Sequence, residues 1–481
     1  MNELNVKCAV PSERHLLWHK LEYYCFIHFT VNTFTGKEWG YGDESPEIFN
    51  PVDFDADEMV SIVADAGMKG LILTCKHHDG FCLWPSAFTE HSVKNSPWLN
   101  GKGDMVREFS DACKKYGVKF GVYLSPWDRN HAEYGHPAYI EYYRNQLNEL
   151  TTQYGELFEV WFDGANGGDG YYGGAREKRE IDRNSYYDWE NTTEIVRRNQ
   201  PLAVMFSDNG PDIRWVGNEH GVAGDPCWST IDDKKIDFED VDEGDEKSDN
   251  VQPDMVKAWA SDFEHLNHGD RNGEIWRPAE CDVSIRPGWF YRTEEDDKVR
   301  TPENLMDLYF KSVGRGCSLL LNLPPDKSGR LHENDVKSLL EFKVLRDQFE
   351  ASNIISSAEL TASQTRANDK AFAVSNLIDG DDKTYWATDE NVGDAYIEIE
   401  FTKDEMFNVI ELREYLPLGQ RIDSVVIDVM ENGEWKQVAE VQAVGNRRFI
   451  GIGEQKSSKI LLHIVSEKLS SALTAIGVYN K

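Results

Sequence analysis

The feature that most constrains the fold is a regular alternation of short apolar runs with amphipathic stretches of helical length. The apolar runs lie between Tyr23 and Pro325, at residues 25–30, 70–80, 119–126, 158–165, 203–210, 280–285 and 317–325. Helix candidates such as 55–67 and 104–117 lie between them, and each of these two begins with aspartate and ends with glycine. Strand–helix alternation of this kind predicts a parallel sheet.

The number of repeats favours a closed barrel. Seven or eight units over roughly 300 residues match a TIM-like (β/α)8 barrel better than an open, doubly wound sheet. Polar side chains stand at or just after the predicted strand ends: His28, His77, His78, Asp79, Tyr123, Asp163, Asp208 and Glu280. In a barrel these ends meet at one mouth, the face on which active sites form.

The pattern changes near residue 350. Runs at 395–401, 424–430, 435–441 and 459–465 alternate apolar and polar residues with a period of two. This periodicity predicts an antiparallel β-sandwich, and a chain of 481 residues exceeds what one hydrophobic core usually serves. We therefore expect a catalytic barrel at residues 1–350 and a β-sandwich at residues 351–481.

Charge and composition exclude several classes of partner. The chain carries 51 basic and 85 acidic residues, a net charge of −34, which argues against nucleic acid because its phosphates would be repelled. We find no run of about 20 apolar residues, so no membrane span is expected. A neutral substrate fits better.

The cysteines and the first residues of the chain give information about the cellular compartment of the protein. Eight cysteines occur without a CxxC pair, so neither a zinc cage nor a dense disulfide framework is expected. The opening residues are polar, which indicates either a cytoplasmic protein or an export signal that preceded the present Met1. We expect a periplasmic or secreted protein, and the sequence leaves the oligomeric state open.

Two carboxylates are candidates for catalysis. Asp163, in "VWFDGANGG", follows a predicted buried strand directly, so it is either a helix cap or a rigidly positioned nucleophile. Glu219, in "GPDIRWVGNEHG", follows the fifth predicted strand, and the nearby Trp215 could raise its pKa toward that of a general acid. Two such acids at one barrel mouth are typical of glycoside hydrolysis.

Aromatic residues favour a sugar as the substrate. Of the 14 tryptophans, seven fall in predicted strand-end loops: Trp39, Trp84, Trp127, Trp161, Trp215, Trp228 and Trp289. Indole rings stack on the apolar faces of sugars, although any single tryptophan is more often part of the core. Neutral histidine and tyrosine can bond hydroxyl groups.

The motif "KHHDG" at 76–80 has three interpretations: a metal site, a structural histidine pair, or a site for substrate hydroxyl groups. Adjacent strand residues point to opposite faces, so His77 and His78 could bind one ion only if the strand had already ended. Because HxH and HExxH spacings are missing, we favour hydroxyl binding and expect no metal and no cofactor. The acidic stretch 232–250 is interpreted as a solvated loop and not as a calcium site.

Six motifs in order give the chain a specific resemblance. They are "FIHFTVNTFTGKEWG", "KHHDGFCLWPS", "KFGVYLSPWD", "VWFDGA", "GPDIRWVGNE" and "LLLNLPP". Over about residues 15–345 the chain resembles the α-L-fucosidases of glycoside hydrolase family 29. "NTFTGKEWG" and "RWVGNE" are similar to the branch that releases α-1,3/1,4-linked fucose from branched, Lewis-type glycans.

The resemblance implies a retaining exo-α-L-fucosidase that works by double displacement on a fucosylated oligosaccharide or glycoconjugate. It implies that Asp163 is the nucleophile and Glu219 the general acid/base, with Glu280 as the alternative acid. The implied fucose-binding residues are His28, His77, His78, Tyr123 and Trp161, with Trp289 against the C6 methyl group; Trp39 and Glu280 complete the predicted substrate-binding set.

Two segments lie outside those motifs. Residues 167–190 form a longer connection than we expect between nucleophile and acid, and we expect it to reshape the leaving-group subsites. Residues 375–388 resemble the start of discoidin-like (F5/8 type C) sandwiches. Two other classes of function stay open: a lectin-like binding protein on a barrel scaffold, which needs neither Asp163 nor Glu219, and a metal-dependent barrel hydrolase.

Overall fold

The computed structural model describes residues 8–208, 210–232, 260–390, 392–467 and 469–481. The acidic stretch at 232–250 lies outside these residues, apart from Asp232. In the first part of the chain the strands are β1 (Tyr23–Ile27), β2 (Gly70–Lys76), β3 (Lys119–Leu124), β4 (Leu157–Trp161), β5 (Gly168–Gly170), β6 (Glu177–Arg179), β7 (Val204–Ser207), β8 (Ile213–Trp215), β9 (Thr230–Ile231), β10 (Ile275–Trp276), β11 (Ala279–Ser284) and β12 (Ser318–Asn322).

Eight of these strands close into a barrel. Following the wall, the order is β1, β2, β3, β4, β7, β8, β11 and β12, which is also the chain order, and β12 pairs with β1. Every neighbouring pair is parallel. The predicted barrel is therefore confirmed.

The sequence analysis did not predict one of the barrel strands, β8. β8 has three residues and follows β7 after five residues, fewer than the dozen or so that a crossover helix needs. A strand of this length carries too little periodicity to be recognised, so the sequence predicted seven runs where the barrel has eight strands. Glu219 stands four residues after β8.

The helices supply the outer layer of the barrel. They are α1 (Glu13–His19), α2 (Val31–Thr35), α3 (Ala56–Asp65), α4 (Met105–Tyr116), α5 (Ala138–Gln153), α6 (Trp189–Asn199), α7 (Ala260–His268), α8 (Pro302–Lys311) and α9 (Glu333–Ala351). α4 shows why such segments form helices: the Asp104 carboxylate accepts from the Arg107 backbone N–H at 3.0 Å, and Gly117 ends the helix at φ 72°.

The last part of the chain is an antiparallel β-sandwich, as predicted. Its strands are β13 (Ala358–Ala362), β14 (Trp386–Ala387), β15 (Asp394–Glu414), β16 (Ser424–Glu431), β17 (Glu434–Gln442), β18 (Arg448–Val465) and β19 (Ala472–Tyr479). They run in the order β14, β19, β15, β18, β16, β17, with β13 on β15. Ala395, Ile397, Ile399 and Phe401 of β15 are all buried, as the period of two requires.

The sandwich packs against the closing helix of the barrel. The rings of Phe449 and Tyr479 lie 5.2 and 4.4 Å from that of Phe349 in α9. Arg447 donates to Glu350 at 2.5 Å and to Glu22 at 3.2 Å. Both apolar and charged groups therefore join the two parts.

All eight cysteines are free thiols, and seven of them are buried. Within the described ranges, every helix is too short or too polar to cross a bilayer.

Candidate active site

The mouth of the barrel collects most of the predicted site residues. His28 follows β1, His77 and His78 follow β2, Tyr123 lies in β3, Trp161 ends β4 and Asp163 stands two residues beyond it; Glu219 follows β8, Glu280 lies in β11, Trp289 is in the loop after β11, and Trp39 is in the loop after α2. The C-terminal ends of parallel strands meet on one face, so residues distant in sequence become neighbours.

Asp163 is held as an acceptor at the end of β4. The Tyr123 hydroxyl donates to Oδ2 at 2.8 Å, and the Ala165 backbone N–H donates to Oδ1 at 2.8 Å. Burial raises the pKa of Asp163, while these two hydrogen bonds and the charge of Arg183 lower it. A short 3-10 helix follows at Tyr172–Gly174 with Tyr171 as its cap residue, and the next α-helix begins at Trp189 with Asp188 as its cap residue, so Asp163 caps neither helix.

His78 is fixed as a neutral ring. The Ser125 hydroxyl donates its one proton to the Trp127 carbonyl oxygen at 2.7 Å, so its oxygen accepts from Nδ1–H of His78 at 2.7 Å. Burial lowers the pKa of His78 to about 3, which leaves Nε2 unprotonated, 3.7 Å from Oδ2 of Asp163. Nε2 can therefore accept a hydrogen bond from a hydroxyl group.

A hydrogen bond to Asn322 fixes the orientation of the His28 ring in the same way. The Asn322 amide donates to Ser284 Oγ at 2.9 Å and to the Trp289 carbonyl at 2.8 Å, which identifies Oδ1 as its free acceptor. Nδ1–H of His28 donates to that oxygen at 2.8 Å. Burial lowers the pKa of His28 to about 3, so its Nε2 is also an acceptor. Two neutral imidazoles suit an uncharged, hydroxylated ligand.

His77 completes a group that could hold a metal ion. Ligand atoms of His77, His78 and Asp163 lie within 4.8 Å of one another. β2 ends at Lys76, so the two histidines are no longer restricted to opposite faces. His77 also stacks on Tyr123, with ring centroids 5.7 Å apart and planes 9° apart. The same atoms suit sugar hydroxyls, and chelation tests which interpretation holds.

Glu219 has the character of an acid. Its side chain is exposed at the mouth, yet desolvation by the surrounding protein, together with the charges of Asp163 and Glu38, raises its pKa to about 7. Nε1–H of Trp289 donates to Oε2 at 3.2 Å and opposes this rise. Glu219 and Asp163 are 56 positions apart in sequence, yet they are close enough in the fold for the charge of Asp163 to raise the pKa of Glu219.

Glu280 lies deeper, under Trp161. Its Oε1 accepts from Nε1–H of Trp161 at 2.8 Å, and its Oε2 accepts from the Tyr24 hydroxyl. Glu280 is fully buried, and desolvation raises its pKa to about 7. Trp161 covers it and stacks on Phe206 at 4.1 Å. Both carboxylate oxygens of Glu280 are thus engaged by protein donors.

Trp39 and Trp289 form the rim. Trp39 is 40 % exposed and packs edge-on against His78, with ring centroids 5.3 Å apart. Glu38 accepts from the Trp289 backbone N–H at 2.5 Å and from Arg292 at 2.7 Å, which ties the two rim loops together. An exposed indole beside the buried rings is available to a second sugar.

Sequence reasoning missed the residues that orient the site. Ser125, Asn322 and Glu38 set the positions of His78, His28 and Trp289, and Arg183 approaches the Asp163 turn. Ser125 and Asn322 stand at strand ends, a signal that could have identified them. The loop positions of Glu38 and Arg183 carry no comparable signal.

Comparisons agree with this geometry. The family model described as Alpha-L-fucosidase matches residues 9–343, and the F5/8 type C domain matches residues 359–458. Alpha-L-fucosidase 1 of Arabidopsis thaliana is 38% identical over 98% of this chain and 87% of its own length.

Solved structures are similar as well. A glycoside hydrolase 29 family member from an unknown rumen bacterium is 40% identical, with a TM-score of 0.83 over 98% of this chain and 77% of that one. A Ruminococcus gnavus GH29 fucosidase in complex with fucose is 31% identical, with a TM-score of 0.84 over 98% and 95%. By sequence and by fold, the chain belongs to the α-L-fucosidase family, glycoside hydrolase family 29.

Proposed function

We propose that this chain is a retaining exo-α-L-fucosidase that releases α-1,3/1,4-linked L-fucose from branched, Lewis-type glycans. Family membership makes it a glycoside hydrolase with a fucosylated glycan as substrate. One observation carries the mechanism: Asp163, held as an acceptor by Tyr123 and Ala165, neighbours Glu219, whose pKa desolvation raises to about 7. Different environments give two carboxylates different roles.

In the first step Asp163 is the nucleophile. Its carboxylate oxygen forms a bond to C1 of fucose while the bond from C1 to the glycosidic oxygen breaks. Glu219 donates its proton to that oxygen, so the leaving glycan departs as a neutral alcohol. The Tyr123 hydroxyl keeps the attacking carboxylate in place.

In the second step water releases the sugar. The ionised Glu219 takes a proton from water, whose oxygen bonds to C1 as the bond between C1 and Asp163 breaks. Two inversions at C1 leave fucose with its original anomeric configuration, and both carboxyl groups return to their starting states.

The sugar-binding residues follow from the donor and acceptor pattern. Nε2 of His28 and of His78 accept from fucose hydroxyl groups, and His77 lies beside them. Tyr123 and Trp161 wall the site, with Glu280 beneath Trp161. The family resemblance implies that Trp289 faces the C6 methyl group. Trp39 at the rim contacts the leaving glycan.

The linkage preference rests on two rim motifs. "NTFTGKEWG" supplies Trp39, and "RWVGNE" supplies Glu219. Both resemble the α-1,3/1,4-specific branch, and both lie at the entrance, where a branched leaving group must fit.

The proposed division is a catalytic barrel at residues 1–350 and a discoidin-like sandwich at residues 351–481. The end of α9 at Ala351 and the start of β13 at Ala358 support this boundary. The contacts of Phe449 and Tyr479 with α9 favour packing on the barrel as the main role of the sandwich.

The experiment is a panel of oligosaccharides with α-1,2-, α-1,3-, α-1,4- or α-1,6-linked fucose, in which released fucose is measured with and without EDTA. We expect release from the branched α-1,3 and α-1,4 members, unchanged by EDTA. Asp163→Asn should lose nearly all turnover and still bind fucose, because the fold is barely disturbed.

Each part of this experiment has a result that would contradict the proposal. Equal release from all linkages would contradict the linkage preference, and loss of activity in EDTA would favour a metal-dependent hydrolase. Asp163→Asn activity within about tenfold of wild type would contradict the nucleophile, since removal of such a group costs far more.

A further inference from the structure

Segment 216–228, which follows β8, runs along the barrel from its mouth to its opposite end. It carries Glu219 at the mouth, and its Cys227 lies beside Cys317, the residue directly before β12. The parallel strands of a barrel begin at the end opposite the mouth, so Cys227 and Glu219 lie at opposite ends of the barrel. Any bond made by Cys227 therefore restrains the segment that presents Glu219.

Three buried thiols meet at this end of the barrel. Sγ of Cys227 lies 3.4 Å from Sγ of Cys317, and the thiol of Cys281 in β11 is also hydrogen-bonded to that of Cys317. They belong to a small apolar cluster, separate from the main barrel core, whose other members are Val216, Ala223 and Ala279. Such small side chains bury little apolar surface, so this cluster holds the segment less firmly than a large core would.

The contact between Cys227 and Cys317 needs only a small movement to become a disulfide. The sulfur atoms of a disulfide are about 2.05 Å apart, so these two must approach each other by about 1.4 Å. The two residues are 90 positions apart in sequence. A bond between them would therefore close a long loop and restrict the unfolded chain strongly.

Two arginines face Cys227. Nη2 of the buried Arg214 donates to Sγ of Cys227 at 3.7 Å. Pairing with Cys317 and burial raise the pKa of Cys227 well above its ordinary value, while the charges of Arg214 and Arg448 lower it. Because only a thiolate attacks a disulfide, exchange at Cys227 should be slow in the closed fold and faster when the segment opens locally.

We propose that Cys227 and Cys317 form a disulfide under oxidising conditions and that this bond fastens segment 216–228 to the start of β12. The oxidant is a small-molecule disulfide such as oxidised glutathione. The Cys227 thiolate attacks one of its sulfur atoms and releases a glutathione thiolate, and the Cys317 thiolate then attacks Sγ of Cys227 and releases the second. The two protons lost by the protein thiols balance the two glutathione thiolates, so one protein disulfide and two molecules of glutathione result.

The test uses the full chain and the variants Cys227→Ala and Cys317→Ala, with Cys281→Ala and Cys113→Ala as matched controls. Cys281 is the third thiol of the cluster, and Cys113 is a buried thiol of α4. Each protein is incubated with oxidised or reduced glutathione, with and without urea below the unfolding range, which lets segments open locally. Free thiols are then blocked, any disulfide is located by mass mapping of peptides, and thermal unfolding is measured in both redox states.

The oxidised wild type should contain a disulfide between Cys227 and Cys317. It should unfold roughly 5 °C higher than the reduced protein, because the bond restricts the unfolded chain. Cys281→Ala and Cys113→Ala should keep both the bond and the shift in unfolding temperature. Cys227→Ala and Cys317→Ala should lose both.

If no disulfide between Cys227 and Cys317 formed in the wild type, with urea as well as without it, the proposal would be overturned. A disulfide between Cys281 and Cys317 in the wild type would overturn it too, because the pairing would be a different one. An unchanged unfolding temperature despite the Cys227–Cys317 bond would show that the bond does not fasten the segment.

Discussion

At the scale of single residues, the site depends on which protonation state each ionisable group keeps. His28 and His78 are neutral because burial lowers their pKa values to about 3, and Asn322 and Ser125 decide which nitrogen holds the proton. Glu219 has a pKa of about 7 because the protein desolvates it. Neutral acceptors and one protonated acid are what an uncharged glycoside needs.

The pH dependence of kcat/KM should follow the two carboxyl groups. Activity should fall in acid as Asp163 becomes protonated, and it should fall above about pH 7 as Glu219 loses the proton that it must donate. The alkaline fall should be steep for a natural glycan and shallow for a fucosyl fluoride, whose leaving group needs no proton. If kcat/KM fell equally steeply at alkaline pH for both substrates, Glu219 would not be the general acid.

Glu219 and Glu280 can be told apart by the leaving group. Glu219→Ala should strongly slow hydrolysis of natural oligosaccharides and affect activated fucosides much less, and azide should accelerate turnover by capturing the intermediate. Glu280→Ala should weaken all substrates alike, because Glu280 holds Trp161 whatever group departs. Azide rescue of Glu280→Ala alone would require the two roles to be exchanged.

At the scale of elements, the loop after β11 shows how a rim is made rigid. Arg286 in this loop donates from Nε to both carboxylate oxygens of Asp335 in α9, at 2.8 and 3.1 Å. It also donates to Asp296 at 2.8 Å. Arg286 and Asp335 are both buried, so the loop that presents Trp289 is anchored to the barrel by an ion pair.

Breaking that pair should be costly. Arg286→Ala should lower the free energy of unfolding by roughly 3–5 kcal/mol, because the Asp335 carboxylate would be left buried without its partner. Lys311→Ala removes an exposed pair with Asp307 in α8 and should cost about 0–1 kcal/mol. Thermal unfolding of both variants checks this, and equal stability losses would mean that burial does not decide the effect.

At the scale of the whole molecule, the barrel and the sandwich share a surface. Val409, Phe449 and Tyr479 of the sandwich belong to the same buried cluster as the barrel core. Arg447 adds charged contacts with Glu22 and Glu350 across the boundary. The barrel therefore ends on an apolar surface that the sandwich covers.

Truncation after Ser352 should expose that surface. We expect the isolated barrel to unfold at a lower temperature than the full chain or to aggregate, because apolar side chains such as Phe349 lose their cover. Thermal unfolding and light scattering measure this. An equally stable barrel with weaker glycan binding would instead indicate that the sandwich is a binding module.

The sequence by itself determined the elements and the residue types at the mouth. Strand–helix alternation predicted the barrel, period-two runs predicted the sandwich, and His28, His77, His78 and Asp163 were recognised as strand-end residues. These are local signals, since side-chain periodicity and strand-end position depend only on nearby residues.

Only the tertiary structure decided how these residues act. The 55 residues between Asp163 and Glu219 say nothing about the distance between the two side chains until the barrel closes, and desolvation of Glu219 comes from protein that packs around it. β8 is too short to carry a pattern, and Arg183 reaches Gly164 from a loop with no periodicity. Proximity, burial and charge balance are properties of packing, which a linear pattern does not encode.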